Sequence, residues 1–189
     1  MAADIADIKE NMMMTLETER LIMRAWKEED RGPFFHLNSN AEVMEYFPAT
    51  LTVEQSNAMV DRIIQRFEQQ NGWGFWAVEL KETGDFIGFV GLNIPVAELP
   101  FSPCTEIGWR LDKPFWGKGY ASEAACKARD FAFTELKLEE VVAFTTVSNL
   151  RSQKVMERLG MVKDENTFLH PLLPDGHPLH EHVLYRIRQ

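Results

Sequence analysis

The stretch FWGKGYASEA, residues 115–124, places Gly117 and Gly119 immediately before a predicted helix. Glycine loses more conformational entropy on folding than other residues, so two glycines on either side of Lys118 need a physical reason. One reason is a turn of the chain. The other is a phosphate group, which backbone N–H groups can hold at the N-terminus of a helix. The rest of the sequence must distinguish between these two interpretations.

The elements around this stretch predict one mixed α+β domain. A predicted strand at 105–111, TEIGWRL, leads into it. Capping-box patterns at Ser39 and Thr52 predict a short helix through Tyr46 and a longer helix to about Gln70. The other predicted strands are 15–24, 72–80, 86–93, 141–148, 161–168 and 182–188, and helices follow the quoted stretch and cover 149–160.

Composition and charge exclude several classes of protein. The chain has 189 residues, of which 45% are hydrophobic, and this is enough for one domain with a buried core. The net charge of −9 argues against a general nucleic-acid binder, because such proteins neutralise phosphates with basic residues. No apolar run approaches the ~18 residues that a membrane span needs, so we expect no membrane partner.

The N-terminus and the cysteines predict a cytoplasmic protein. The first ten residues, MAADIADIKE, are acidic and lack the apolar region of a signal peptide. Cys104 and Cys126 form neither a CxxC pair nor a zinc-binding spacing, so we expect reduced thiols. Three consecutive methionines at 12–14 resemble a start. We therefore expect residues 1–14 to form a loose tail before a single domain at 15–189.

Two nucleotide-binding motifs do not fit the glycine stretch. A Walker A loop needs GxxxxGK[ST], but Lys118 is followed by Gly119, which offers no hydroxyl group for magnesium. The dinucleotide fingerprint GxGxxG meets Ser122 at its third glycine position, and no acidic residue stands at the end of a second parallel strand. Both nucleotide interpretations are therefore disfavoured.

A third pattern fits the stretch and extends beyond it. Residues 116–121, WGKGYA, resemble the [Q/R]-x-x-G-x-[G/A] pyrophosphate loop of the GNAT family of acyl-CoA N-acyltransferases. Residues 18–30, 106–124 and 149–161 are similar, in that order, to the RimJ/RimL branch, which acetylates α-amino groups of proteins. The resemblance implies the GNAT fold, a mixed, mostly antiparallel sheet with helices on both faces. It also implies transfer of an acetyl group from acetyl-CoA to a primary amine.

The resemblance further implies which residues bind acetyl-CoA. Backbone N–H groups at the helix start would hold the pyrophosphate, and the preceding strand would hold the pantetheine arm. Trp116 stands where the family has Gln or Arg, so we expect packing there instead of charge, while the Lys118 side chain either adds charge or points to water. Gly108 suggests a β-bulge that opens a slot for the arm. The implied cofactor-binding residues are Trp109, Arg110, Leu111, Gly117, Lys118, Gly119, Tyr120, Ala121, Ser122 and Asn149.

Acyl transfer to an amine benefits from a base for the amine and a proton donor for the leaving thiolate. Glu106 lies on the strand that feeds the loop, where family members often place a catalytic carboxylate that acts directly or through water. Many relatives have a tyrosine donor seven residues after Asn149, but Met156 occupies that position here. Ser152 matches the serine of RimL-type enzymes and is implied to donate the proton. A surface role for Glu106 and a packing role for Ser152 are the alternatives.

Other functions and partners stay open at this stage. A non-catalytic acyl-CoA-binding or regulatory domain on the same fold would keep the loop without turnover. The acceptor is either a protein N-terminus or a small amine, and an exposed strand edge allows a homodimer. Four histidines have no strong metal-ligand spacing, so we expect no metal and interpret them as lining the acceptor entrance. They are His170, His177, His180 and His182.

Overall fold

The computed structural model describes residues 14–189. Of the predicted tail, residues 1–13 lie outside the described residues. Met14 is anchored through both of its backbone polar groups. Its N–H donates to the Gly72 carbonyl, and its carbonyl accepts from Trp76 Nε1. The α-helices are α1 (Arg31–Asn38), α2 (Val53–Gln69), α3 (Tyr120–Thr134) and α4 (Leu150–Arg158). The strands are β1 (Leu16–Glu17), β2 (Leu21–Arg24), β3 (Phe75–Leu80), β4 (Phe86–Asn93), β5 (Glu106–Leu111), β6 (Glu140–Thr146), β7 (Val162–Lys163), β8 (Phe168–Leu169) and β9 (Glu181–Arg188).

All of these strands join one mixed sheet in the order β1-β2-β3-β4-β5-β6-β9-β7, with β8 also paired to β9. The pairs are antiparallel except β5 with β6, which is parallel. Helix α1 covers one face, where Phe34 meets Phe89 of β4, and α3 covers the other, where Phe131 meets Trp76 of β3. The predicted α+β architecture, with a mostly antiparallel sheet and helices on both faces, is confirmed.

The predicted start of α2 is confirmed in its atomic detail. Thr52 is the N-cap residue, and its hydroxyl accepts from the Gln55 N–H at 3.2 Å. The Gln55 side chain returns a bond by accepting from the Thr52 N–H at 2.9 Å. Two backbone donors at the helix start are thereby satisfied by the two side chains that the sequence pattern indicated.

The short helix predicted through Tyr46 is wrong, because residues 41–46 form turns. The Asn40 side chain accepts from the N–H groups of Glu42 and Val43 at 2.9 and 3.4 Å, so it satisfies these donors locally. Asparagine competes with helix formation in this way. The predicted strands at 15–24 and 161–168 are each divided into two short strands.

Strands β5 and β6 meet at one point and then separate. Their register contains the single pair Glu106 and Val142, and the Val142 N–H donates to the Thr105 carbonyl at 3.0 Å. Beyond this pair, β5 continues to bond with β4 along its whole length. The sheet therefore opens between two neighbouring strands in its middle.

The parity of β5 decides which backbone groups face this gap. The Asp112 N–H donates to Ile87 of the β4 side, and the Thr105 carbonyl accepts from the β6 side. Because backbone groups alternate in direction along a strand paired on both sides, those of Ile107 and Trp109 face the β6 side, whereas those of Arg110 face β4. The Ile107 N–H belongs to the bridge with Val142, so the Ile107 carbonyl and the backbone groups of Trp109 face the gap. Of the three residues implied to serve the pantetheine arm by their backbone, Arg110 is therefore misplaced for that role.

The β-bulge predicted at Gly108 is wrong. Gly108 pairs in register with Gly91, and the irregular pairing of this region lies between Val78 and Glu79 of β3. A Cβ atom at Gly108 would lie 3.2 Å from the Phe75 ring, so the glycine leaves room for that ring. The slot arises from the separation of β5 and β6 instead of from a bulge.

Replacing Gly91 by alanine should destabilise the fold by about 1–3 kcal/mol, because overpacking forces the surrounding backbone to shift. The added Cβ would meet the Gly74 carbonyl oxygen at 2.0 Å and the Phe75 Cα at 2.9 Å. Gly32→Ala is the matched control, since its Cβ would meet nothing within 4 Å. Urea denaturation of both variants checks this, and equal stability of the two would contradict the packing described.

Candidate active site

A cleft of about 930 Å³ runs along the gap between β5 and β6. The N-terminus of α3, helix α4 and the segment 43–48 also border it. Every predicted site residue except Lys118 lines this cleft. The Lys118 residue is exposed and stands outside the lining, so only its backbone belongs to the site.

The start of α3 forms a row of free backbone donors. Within residues 14–189, the N–H groups of residues 117–122 have no hydrogen-bond acceptor. Gly117 and Gly119 have φ angles of +73° and +81°, which glycine adopts without strain, and Gly119 is the N-cap residue of α3. A helix N-terminus also carries the equivalent of about half a positive charge. This arrangement can bind an anion such as a diphosphate.

The space beside the loop and its anchoring both fit such a ligand. A Cβ atom at Gly117 would meet no atom within 4 Å, so the loop is open on that side. The loop is held from behind by Arg20, whose guanidinium donates to the Lys118 carbonyl at 2.9 Å and pairs with Glu123 at 2.6 Å. The Ser122 hydroxyl is buried without a partner among the described residues. The residues present therefore fit the pyrophosphate of coenzyme A.

Trp116 packs as expected and also positions a charge. Its Nε1 donates to the Leu111 carbonyl at 2.8 Å, which fixes the indole beside the loop. The guanidinium of Arg151, from α4, lies 3.8 Å above the ring, a cation–π contact. Arg151 thus brings a positive charge beside the loop although position 116 is not basic, which the sequence at that position could not reveal.

The cleft is basic although the chain is acidic. Its described lining includes four basic side chains and a single carboxylate, Glu106, against a net charge of −9 for the whole chain. The basic side chains are Arg110, Arg151, Lys154 and Arg158. A positive cleft in an acidic protein attracts anionic ligands, which suits the phosphates of coenzyme A.

Glu106 occupies the end of the cleft where β5 and β6 still touch. Its side chain lies on the face of the sheet that carries Phe89, and Oε1 accepts from Asn93 Nδ2 at 2.7 Å. Burial raises the pKa of the Glu106 carboxyl to about 7, and the bond from Asn93 only partly opposes this shift. A carboxyl with such a pKa can exchange protons near neutral pH.

Asn149 and Ser152 meet at the start of α4. Asn149 caps the helix through the Ser152 N–H at 3.2 Å, and its Nδ2 donates to the Ser152 hydroxyl at 3.1 Å. Because that hydroxyl accepts from Asn149, its own proton is free to be donated elsewhere. Met156 is 2% exposed and packs in the core cluster, so the tyrosine position of the family is used for packing here.

Two histidines contribute to the far wall of the cleft. His170 and His182 line it with ring centroids 4.9 Å apart, next to the aromatic rings of Phe144 and Phe168. Burial lowers the pKa of His182 to about 4 and also lowers the pKa of His170. Both rings are therefore uncharged at neutral pH. His177 and His180 are not part of the cleft lining.

Two further kinds of site are missing from the described part of the chain. No three side chains of the metal-ligating types come together in residues 14–189. In the same range, no helix has both the length and the apolar character needed to cross a bilayer.

Known proteins are similar to this chain in sequence and in fold. The family described as Acetyltransferase (GNAT) domain matches residues 20–162. An uncharacterized N-acetyltransferase, p20 of Bacillus licheniformis, is 33% identical over 80% of this chain and 84% of its own length. The FsC-acetyl coenzyme A-N(2)-transacetylase of Aspergillus fumigatus is 33% identical over 82% of this chain and 67% of its own.

A solved structure agrees with these relatives. The crystal structure of a GNAT-family acetyltransferase from Bacillus anthracis superposes with a TM-score of 0.76 at 26% identity, covering 93% of this chain and 98% of that one. The chain therefore belongs to the GNAT acetyltransferases and is an N-acetyltransferase.

Proposed function

We propose that this enzyme transfers the acetyl group of acetyl-CoA to a primary amine by direct attack within a ternary complex. The observation that carries the proposal is the position of the Glu106 carboxyl, whose pKa is raised to about 7, at the closed end of the cleft. The other end of the cleft is the row of free N–H groups of residues 117–122, which we call the anion cradle. The amine is a protein N-terminus or a small molecule. Similarity of three segments to the RimJ/RimL branch supports the first acceptor.

In this proposal the cofactor lies between β5 and β6. The N–H groups of residues 117–122 hold the pyrophosphate, and the Ile107 carbonyl and the backbone groups of Trp109 hold the arm and the thioester carbonyl. A backbone donor aimed at that carbonyl stabilises the negative charge that develops on its oxygen. The name of one relative, FsC-acetyl coenzyme A-N(2)-transacetylase, combines acetyl coenzyme A with N(2) transacetylation, which supports acetyl-CoA as the acetyl donor.

Glu106 assists removal of a proton from the attacking amine. An α-amino group has a pKa of about 8 and a lysine side chain about 10.4, so most of the amine is charged and unreactive at neutral pH. A carboxylate of pKa about 7 is matched to accept this proton, directly or through water. Asn93 fixes the carboxyl through Oε1 and leaves Oε2 for the proton.

Ser152 assists the leaving group. The departing thiolate is the conjugate base of a thiol with a pKa of about 8.5. It is therefore a better leaving group than an alkoxide and depends less on being protonated as it leaves. The Ser152 hydroxyl accepts from Asn149 and can direct its proton to sulfur. This role supports turnover without being indispensable for it.

Replacing Glu106 by glutamine should lower kcat/KM by about 10²–10⁴-fold, the usual contribution of a general base. In the wild type, kcat/KM should rise as pH increases through about 7, where Glu106 loses its proton. The variant should lack that step and keep only the titration of the amine. Acetylation of a panel of amines, followed by mass spectrometry over pH 5–9, measures both effects.

The same variant supplies its own control for folding. The folded-state pKa of Glu106 lies above its ordinary value of 4.5, so the carboxyl destabilises the fold as pH rises from about 4.5 to 7. Glutamine avoids this loss and can still accept from Asn93. Its melting temperature at pH 8 should therefore equal or exceed that of the wild type. A wild type that binds acetyl-CoA but acetylates no amine would instead indicate a non-catalytic acyl-CoA-binding domain.

Arg151→Gln should raise the dissociation constant of acetyl-CoA about tenfold, because a charged hydrogen bond to phosphate is lost. Lys127→Gln is the matched control, since it removes the same charge from an exposed position of α3 outside the cleft. Calorimetric titration of both variants measures the difference. Equal dissociation constants would contradict a phosphate-binding role for Arg151.

A further inference from the structure

Arg110 is a buried cation without a counter-ion. Its residue is 9% exposed, and no carboxylate of residues 14–189 forms an ion pair with it. Nη1 donates to Asn38 Oδ1 at 2.7 Å, while Nε is buried with no partner among the described residues. A guanidinium has five donors in a planar fork, so most of its hydrogen-bonding capacity is unused.

The surroundings hold this guanidinium in place. Its carbon lies 4.2 Å from the centre of the Phe47 ring and 5.4 Å from that of Phe89. Asn38 is itself oriented by a bond from its Nδ2 to the buried Ser56 hydroxyl at 3.0 Å, so its oxygen is fixed towards the arginine. The fork is therefore preorganised before any ligand arrives.

Nearby carboxylates are engaged elsewhere or too far away. In the segment that covers Arg110, Glu42 pairs with Lys113, and Glu45 lies 3.9 Å from Arg151. Glu106 is on the same strand and face, but four strand residues separate the two Cα atoms by about 13 Å. Burying a charge is costly unless it is paired, so a binding role explains a position that folding alone disfavours.

Arg110 lines the part of the cleft where an acceptor would lie. Strand alternation places its side chain on the same face as Glu106, whereas the side chain of Trp109 points to the α3 side. Between Arg110 and Glu106 on β5 is Gly108, and the Phe75 ring lies over it, next to Phe89. Both rings line the cleft, so this part of its wall is apolar. The cleft thus offers a proton acceptor at one end of an apolar surface and a fixed guanidinium at the other.

From this geometry we propose that the acceptor is a primary amine that also carries a carboxylate several bonds away, such as a short apolar peptide, and that Arg110 binds that carboxylate. This inference rests on the proposed function, because it names the acceptor class of the same site. The carboxylate completes the donors of the guanidinium in a two-bond pairing. The apolar body of the acceptor covers Phe75 and Phe89 and directs its amine towards Glu106.

The test compares acids with their amides as acceptors. The dipeptides Phe-Ala and Met-Ala are each paired with the corresponding C-terminal amide, and spermidine serves as an amine without a carboxylate. The wild type should prefer the acids, and Arg110→Met should reduce the acid-to-amide ratio of kcat/KM by about tenfold to a hundredfold. Comparing ratios between enzymes cancels the different basicities of the two amines. Arg110→Lys should retain part of the preference.

Arg62→Met is the matched control, because it makes the same substitution at an exposed position of α2 outside the cleft, and its ratio should not change. Calorimetry with acetyl-CoA on each variant reports whether the cofactor site is still formed. Calorimetry of each acid and amide with the coenzyme A complex gives a second readout that does not need turnover.

Four outcomes would overturn the inference. An unchanged ratio in Arg110→Met would do so, and so would a wild type that neither binds nor acetylates any of the acids. Acetylation of amides or spermidine without acids contradicts the carboxylate site but leaves acetyl transfer to amines intact. Failure to acetylate any amine, with acetyl-CoA bound, contradicts the proposed function itself and this inference with it.

Discussion

The separation of β5 from β6 determines where the cleft of this protein lies. A strand in the middle of a sheet normally satisfies its backbone groups on both sides, yet β5 keeps one pair with β6 and then leaves the Ile107 carbonyl and the backbone groups of Trp109 without a strand partner. The gap is stable because β4 bonds β5 along its full length, and because the glycine at 108 leaves room for the Phe75 ring against β5. The proposed cofactor and acceptor sites both open from this gap.

The two ends of the gap have opposite chemistry. Helix α3 starts at the wide end and contributes its free N–H groups and dipole, while Glu106 stands at the closed end, where a carboxyl is kept partly protonated by burial. One strand therefore sets the distance between phosphate binding and proton transfer. The long, thin shape of coenzyme A suits a site in which these two functions are separated along a strand.

Much of this arrangement could be predicted because it is local in sequence. The capping box at Thr52, the strand TEIGWRL and the glycine loop before α3 each depend on neighbouring residues, and the structure has all three elements. Resemblance to a family predicted that Glu106 and Ser152 belong to one site although they are 46 positions apart in the sequence, and both residues line the cleft.

The features that sequence reasoning missed depend on contacts across the fold. The Gly108 bulge was wrong because the reason for that glycine is the ring of Phe75, which lies two strands away. The helix predicted before Tyr46 was wrong because Asn40 satisfies the local donors in a turn. Arg151 over Trp116 and the unpaired guanidinium of Arg110 are visible only once α4, α1 and the sheet are assembled.

The most direct test of the central claim is calorimetric titration of the wild type and Gly119→Val with acetyl-CoA, with ATP and NAD as control ligands. The cradle needs a φ of +81° at position 119, which a β-branched residue adopts only with strain, although the surrounding space would accept a Cβ. The wild type should bind acetyl-CoA with micromolar affinity and should bind neither ATP nor NAD, and the folded variant should lose the binding of acetyl-CoA. Absence of binding by the folded wild type, or equal binding by the variant, would contradict a cofactor site at the start of α3.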